Sequence, residues 1–255
     1  MALLEVTDMT QYFGGLCAVS EFSVSLEQGQ LVALIGPNGA GKTTVFNLVS
    51  GFYKPTRGEI LFKGASIKGK KPHEVTARGI ARTFQNIRLW FDMTVLDNIR
   101  IAQHHALGYG LLDCFLRTPR YMRREREIED HAMQVLDTLG LADVAHELPK
   151  NLPYGVQRLV EIARALSIKP ALLMLDEPAA GLNSADVEGL IRLIRDIHAR
   201  FGLSIWMIEH QMDVVMSLCS WIKVIDFGAT IAEGTPEAIQ NNPEVIKAYL
   251  GDDTI

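Results

Sequence analysis

Apolar positions along the chain change their period repeatedly, and each change predicts a different kind of element. Phe22, Val24 and Leu26 alternate with polar residues, as in a half-exposed antiparallel strand, and 3–35 as a whole reads as short β segments. Leu31 to Ile35 is a continuous apolar run, which predicts a strand buried on both faces. A helix is expected to start within Gly41-Lys42-Thr43-Thr44 and to stop near Gly51, a residue suited to the position after a helix end. Lys54 to Gly58 then turns the chain into a strand from Glu59 to Lys63. From Thr94 to Leu148 the period becomes helical: Ala132, Val135, Leu136 and Leu139 fall at i, i+3, i+4 and i+7, and Gly140 closes that segment. Gln157 to Ile168 is predicted as a helix ended by Lys169-Pro170. Alternation follows: strand Ala171 to Leu175, helix Ser184 to Arg200, strand Leu203 to Ile208, helix Val214 to Cys219, and a hairpin of Trp221 to Phe227 with Thr230 to Glu233.

Strands alternating with helices imply an α/β fold with a mostly parallel sheet covered on both faces, antiparallel β segments at the N-terminus, and an inserted α-helical subdomain. The expected organisation is one domain over 1–255, with the α/β core in 1–90 and 166–235, the helical subdomain in 91–165, and a helical extension in 236–255. Composition narrows the function classes. Thirty acidic and 25 basic residues leave a net charge of −5, which argues against a nucleic-acid partner. Cys17, Cys114 and Cys219 are scattered without paired spacing, as in a protein with reduced thiols. No signal peptide is expected at Met1 to Asp8, and no apolar run is long enough to span a bilayer. Between His104 and Asp130, Leu111, Leu112, Phe115, Leu116 and Tyr121 lie beside Arg117, Arg120, Arg123, Arg124 and Arg126. Such a stretch could contact lipid headgroups or a partner helix, but a helical hairpin with a solvated Arg/Glu face is the preferred reading.

Gly36-Pro37-Asn38-Gly39-Ala40-Gly41-Lys42-Thr43 fits the phosphate-binding loop G-x-x-x-x-G-K-[ST], placed between a buried strand and a helix. Small residues let backbone N–H groups wrap a phosphate, and the helix N-terminus at Thr43-Thr44 adds positive potential. Lys42 would neutralise the β- and γ-phosphates and the Thr43 hydroxyl would ligate Mg²⁺, which makes the ligand ATP or a related nucleoside triphosphate. The apolar run Leu172 to Leu175 ends in Asp176-Glu177-Pro178, so two carboxylates arrive at the sheet edge where open α/β folds bind ligands. Asp176 would hold Mg²⁺ through water, and Glu177 is placed to act as general base on the attacking water. The strand Leu203 to Ile208 ends in Glu209-His210 at the same edge, so His210 is a candidate for the γ-phosphate.

These motifs, in this order, resemble the ATP-binding subunit of an ABC transporter along almost the whole chain. The resemblance implies that Phe13 stacks on adenine, that Gln85 in Arg82-Thr83-Phe84-Gln85 meets Mg²⁺ and water beside the permease, and that His210 is the switch histidine. It places Leu152-Pro153-Tyr154-Gly155 at the signature motif, which faces the ATP bound by the opposite subunit. Pro153 there lacks both a hydroxyl and an N–H. Gly51 to Pro55, Leu152 to Gly155 and Asn242 to Gly251 are most similar to the ATPases of branched-chain amino acid uptake systems; urea and amide importers and lipopolysaccharide-export ATPases look similar. The implied function is ATP hydrolysis powering uptake of branched-chain amino acids from the cytoplasmic face of the inner membrane. The implied partners are two permease subunits, a second homologous ATPase or a second copy of this chain, and, indirectly, a periplasmic solute-binding protein. A soluble regulatory ABC protein and a P-loop kinase are the rival readings.

Overall fold

The computed structural model describes residues 2–106 and 108–250. Strands β1 (Leu4–Phe13) and β2 (Leu16–Leu26) form a hairpin, and β3 (Leu31–Ile35) leads into α1 (Lys42–Val49). Next come β4 (Arg57–Phe62), β5 (Ala65–Ser66), α2 (Pro72–Ala77) and β6 (Ile80–Arg82). A run of helices follows: α3 (Val95–Ala102), α4 (Leu111–Leu116), α5 (Pro119–Thr138) and α6 (Tyr154–Leu166). The chain then alternates through β7 (Leu172–Asp176), α7 (Ser184–Phe201), β8 (Ser204–Ile208), α8 (Met212–Leu218), β9 (Trp221–Asp226) and β10 (Ala229–Gly234), and ends in α9 (Pro236–Gln240) and α10 (Pro243–Leu250). Contacts divide it into two bodies. One runs through Gln85 and resumes at Ala171; the other is Asn86–Pro170.

The first body holds two sheets. Strands in the order β2-β1-β4-β5 pair antiparallel, and a six-stranded sheet runs β10-β9-β3-β8-β7-β6, parallel except for β10. In the parallel strands, alternate residues Val32, Leu34, Leu172, Met174, Trp206 and Ile208 join one core with Leu4, Met9 and Phe22 of the antiparallel sheet and with Phe46 of α1. Their neighbours Ala33, Ile35, Leu173, Leu175, Ile205 and Met207, on the opposite face, are equally buried. Burial on both faces is why these strands read as unbroken apolar runs. Trp206 anchors the core, its ring 4.9 Å from Phe46 and 6.4 Å from Phe22.

In the second body, α3, α5 and α6 pack on one another. Ile99, Ile128, Ala132, Leu136 and Val160 are buried there at helical spacing. Thr94 and Thr118 cap α3 and α5 by accepting from the N–H groups of Asp97 and Tyr121. Fully buried Asn98 closes the loop before α3: its Oδ1 accepts from Trp90 N–H at 2.8 Å, and its amide donates to the Trp90 and Thr94 carbonyls.

Several predicted boundaries move. Instead of short β segments, β1 and β2 are ten- and eleven-residue strands. Asp8 and Glu21 sit at positive φ and the pairing register shifts beside them, which breaks the period-2 pattern that would have shown their length. The helix expected from Gln157 begins at Tyr154, because Pro153 stands at the N-cap, where a missing N–H costs nothing, and it ends at Leu166 rather than Ile168. Helix α8 starts at Met212, two residues before Val214, and α7 runs one residue past Arg200. Strand β7 gains Asp176 and loses Ala171. Both β6 and α2 lie in a stretch with no predicted element; a three-residue strand between Gly79 and Thr83 is too short to show a period. Of the expected C-terminal extension, α9 and α10 are present, and 251–255 lie outside the described residues.

Candidate functional site

Strands β3, β8, β7 and β6 are parallel neighbours, so the loops that follow them emerge side by side at one edge of the sheet. The loop after β3 is Gly36 to Gly41. A Cβ on Gly36 would lie 2.0 Å from the Ile225 carbonyl oxygen, and one on Gly41 would lie 2.5 Å from that of Ala18. Both positions also have positive φ, so only glycine lets the loop pass between β2 and β9 into α1. Asn38, Gly39 and Thr43 are exposed along the loop, whereas Pro37 and Thr44 are half-buried and Ala40 is buried. The Lys42 ammonium is buried and donates to the carbonyls of Gly36 and Pro37 at 2.7 and 2.8 Å. Burial pushes its pKa down, and the nearby Glu177 and Asp176 carboxylates push it back up. All three side chains therefore share one electrostatic neighbourhood.

Glu177 is the centre of the constellation. Its backbone has φ 49°, a left-handed conformation unusual for a residue with a side chain, and its N–H donates to the Ile208 carbonyl at 2.9 Å. Gln85 Nε2 donates to Glu177 Oε2 at 2.7 Å, and His210 Nε2 meets Glu177 Oε1 at 2.6 Å. A carboxylate can only accept, so His210 carries its proton on Nε2. The three residues expected to act on water are thus joined through one carboxylate.

Asp176, buried at the end of β7, is paired with Arg82 of β6 at 2.7 Å. The same guanidinium donates to Asn47 Oδ1 and Ser50 Oγ, each at 2.8 Å, and lies over the rings of Phe46, Phe52 and Phe84 at 5.0–5.9 Å. Sequence reasoning passed over Arg82, which it met only as part of the motif around Gln85. Glu209 was passed over too. Its buried carboxylate accepts from Ala179 N–H at 2.7 Å and from His210 N–H at 2.9 Å, so one side chain fixes both the loop after β7 and the loop after β8. Burial pushes the Glu209 pKa up, against those hydrogen bonds. Tyr249 of α10 is a third addition: burial pushes its hydroxyl pKa up while the Gly36 backbone pulls it back down, so the C-terminal helix lies beside the phosphate loop. No spacing rule links residues so far apart in sequence.

Phe13 closes β1 at the hairpin turn, 41% exposed, its ring edge-on to Tyr53 at 5.2 Å. Leu152 to Gly155 lie in the second body and are described within it. There Pro153 precedes α6 without a side-chain cap, and Gln157 Nε2 donates to the Leu152 carbonyl at 2.9 Å. Tyr154 Oη accepts from Arg158 at 3.1 Å, and Arg158 itself forms a fully buried ion pair with Glu161 at 2.8 Å.

A family model described as ABC transporter matches residues 19–180, and one described as Branched-chain amino acid ATP-binding cassette transporter matches 229–254. The chain belongs to the ABC transporter ATP-binding family. It is 46% identical, over 98% of both chains, to the high-affinity branched-chain amino acid transport ATP-binding protein BraF of Pseudomonas aeruginosa. It is 45% identical, again over 98% of both, to LivG of Escherichia coli, which carries the same description. The solved structure of a nucleotide-free ATP-binding cassette from an ABC transporter superposes with a TM-score of 0.86 at 32% identity, covering 99% of this chain and all of that one. The chain is therefore an ABC ATPase with the α/β cassette fold, a mostly parallel sheet beside a separate antiparallel one. Among the described residues, no helix is long and apolar enough to cross a membrane.

Proposed function

We propose that this chain is the ATP-hydrolysing subunit of an importer for branched-chain amino acids. The observation that carries the reading is the convergence on Glu177: Gln85 and His210 hold its two oxygens while Lys42 of the phosphate loop lies within its field. The solute comes from the relatives, which are named for branched-chain amino acid transport over the same length.

In this reading the backbone N–H groups of 36–44 wrap the phosphates, and Lys42 exchanges the Gly36 and Pro37 carbonyls for phosphate oxygens. Phe13 offers its exposed ring to the adenine. Glu177 takes a proton from the attacking water as the bond to the γ-phosphorus forms and the bond to the leaving ADP oxygen breaks. His210 Nε2–H holds that carboxylate in place and, when a γ-phosphate is present, can donate to it instead. Mg²⁺ fits the donors available. The Thr43 hydroxyl, the Asp176 carboxylate and the Gln85 amide oxygen are hard oxygen ligands that would hold it, and among the described residues no cluster of His, Cys, Asp and Glu forms a closed metal cage. The ion would supply charge neutralisation at the β- and γ-oxygens.

The partners in this proposal are two permease subunits on the inner membrane, reached from its cytoplasmic face. A second ATPase, homologous or identical, would present its signature to this chain's ATP, and Leu152 to Gly155 would serve the other site. A periplasmic solute-binding protein acts through the permease. Uptake of labelled leucine by cells lacking this chain tests the proposal. Wild type should restore uptake and Glu177→Gln should not; leucine uptake unaffected by the deletion would remove branched-chain amino acids as the solute.

A further inference from the structure

Helix α4 has no buried residue. Leu111, Leu112, Phe115 and Leu116 recur at i, i+1, i+4 and i+5, which puts them on one helical face, and they are 87, 78, 90 and 74% exposed. A cluster of large apolar side chains this open marks an interaction site. The corner that presents it is built. Asp113 accepts from Gly110 N–H at 3.1 Å and from the Thr118 hydroxyl at 2.9 Å, and Thr118 N–H donates to the Asp113 carbonyl at 3.1 Å. Tyr109 donates to Glu125, which is also paired with Arg100 at 3.1 Å. Both carboxylates between 108 and 126 are thus engaged inside the lobe.

Arginines outnumber these carboxylates, and of them Arg124 is paired with Glu127 at 3.0 Å. Five of them, Arg117, Arg120, Arg123, Arg124 and Arg126, stand against Asp113 and Glu125 in that stretch, a local charge of +3 within a chain of −5. Arg117, Arg120, Arg123 and Arg126 are exposed and form no ion pair with a described residue. Arg120, Arg123 and Arg124 fall at i, i+3 and i+4, one face of α5, and Arg120 lies close enough to Asp113 to stabilise its charge.

We infer that the α4–α5 corner docks onto an anionic lipid surface, with the four apolar side chains entering the headgroup boundary and the arginines meeting lipid phosphates. An apolar wedge rimmed by basic residues has the composition of an interfacial segment, and guanidinium pairs with phosphate in two parallel hydrogen bonds. So small a wedge binds weakly and reversibly by itself. It acts by adding a second attachment to a subunit already held near the bilayer, where the effective concentration is high.

Co-sedimentation of the purified full chain with phosphatidylcholine vesicles, with and without phosphatidylglycerol, tests this directly. Binding should require phosphatidylglycerol and weaken with salt. Leu112→Ser with Phe115→Ser should lose at least about tenfold, and Arg120→Gln or Arg123→Gln roughly fivefold each. ATP affinity should be unchanged in every variant, which reports an intact fold. Failure of the wild type to sediment with phosphatidylglycerol vesicles would overturn the proposal. So would variants that sediment like wild type, or apolar variants that abolish self-association in light scattering while vesicle binding persists.

Discussion

Arg82 joins Asn47, Ser50 and three phenylalanine rings to Asp176 through one guanidinium. Its guanidinium is enclosed by three phenylalanine rings and by Asn47 and Ser50, so it cannot swing out to water, and it holds the Asp176 carboxylate from the neighbouring strand. Replacing it with a side chain of similar length but no charge removes the direct ion-pair partner of a buried carboxylate. Arg82→Met should cost about 3–5 kcal/mol in urea unfolding. MgATP should then raise the melting temperature of this variant more than that of wild type, because a cation held by Asp176 replaces the lost charge; equal shifts would show that Asp176 does not face the metal. Glu177 is the complementary case. Glu177→Gln keeps the size of the side chain and removes its basicity, so hydrolysis should fall by about 10²–10⁴-fold while ATP binding persists. Rapid hydrolysis by the variant would exclude Glu177 as the base.

At the scale of elements, much was readable because the chemistry lies at ends of apolar runs. Leu31 to Ile35 and Leu172 to Leu175 are buried on both faces, so a glycine loop and an acidic pair after them had to emerge at a sheet edge. What stayed illegible depends on pairing between distant segments. Three residues of β6 become a strand only against β7, and that pairing delivers Arg82 to Asp176. Glu209 looked like a strand terminus, yet its role comes from a loop thirty residues earlier, through Ala179. In the helical lobe, α5 is tied to the end of α6 by His131, whose Nε2 donates to the Ser167 carbonyl at 3.1 Å. Burial, helped by Lys169, pushes the His131 pKa below its ordinary value near 6.5. Above that value the ring is neutral in folded and unfolded chains, and its contribution is fully present. As pH falls below it, the unfolded chain takes up a proton that the folded lobe resists, and stability declines. The urea midpoint should therefore drop between pH 7.5 and 5.5, and His131→Gln should flatten part of that drop. An unchanged pH dependence would contradict the argument.

For the whole molecule, the two bodies carry different features: the first brings Lys42, Gln85, Asp176, Glu177 and His210 together, and the second presents Leu152 to Gly155 and the exposed corner of α4 and α5. In the proposed function, Leu152 to Gly155 would act on ATP bound by another chain. That division fits a subunit that completes its work against other chains. The decisive measurement of whether this chain works as a transporter subunit is its affinity purification from gently solubilised native membranes, with mass spectrometry of everything retained. Two multi-spanning permease proteins should be retained, together with a second ATPase or a second copy of this chain. Recovery of this chain alone, from the soluble fraction, would contradict that role.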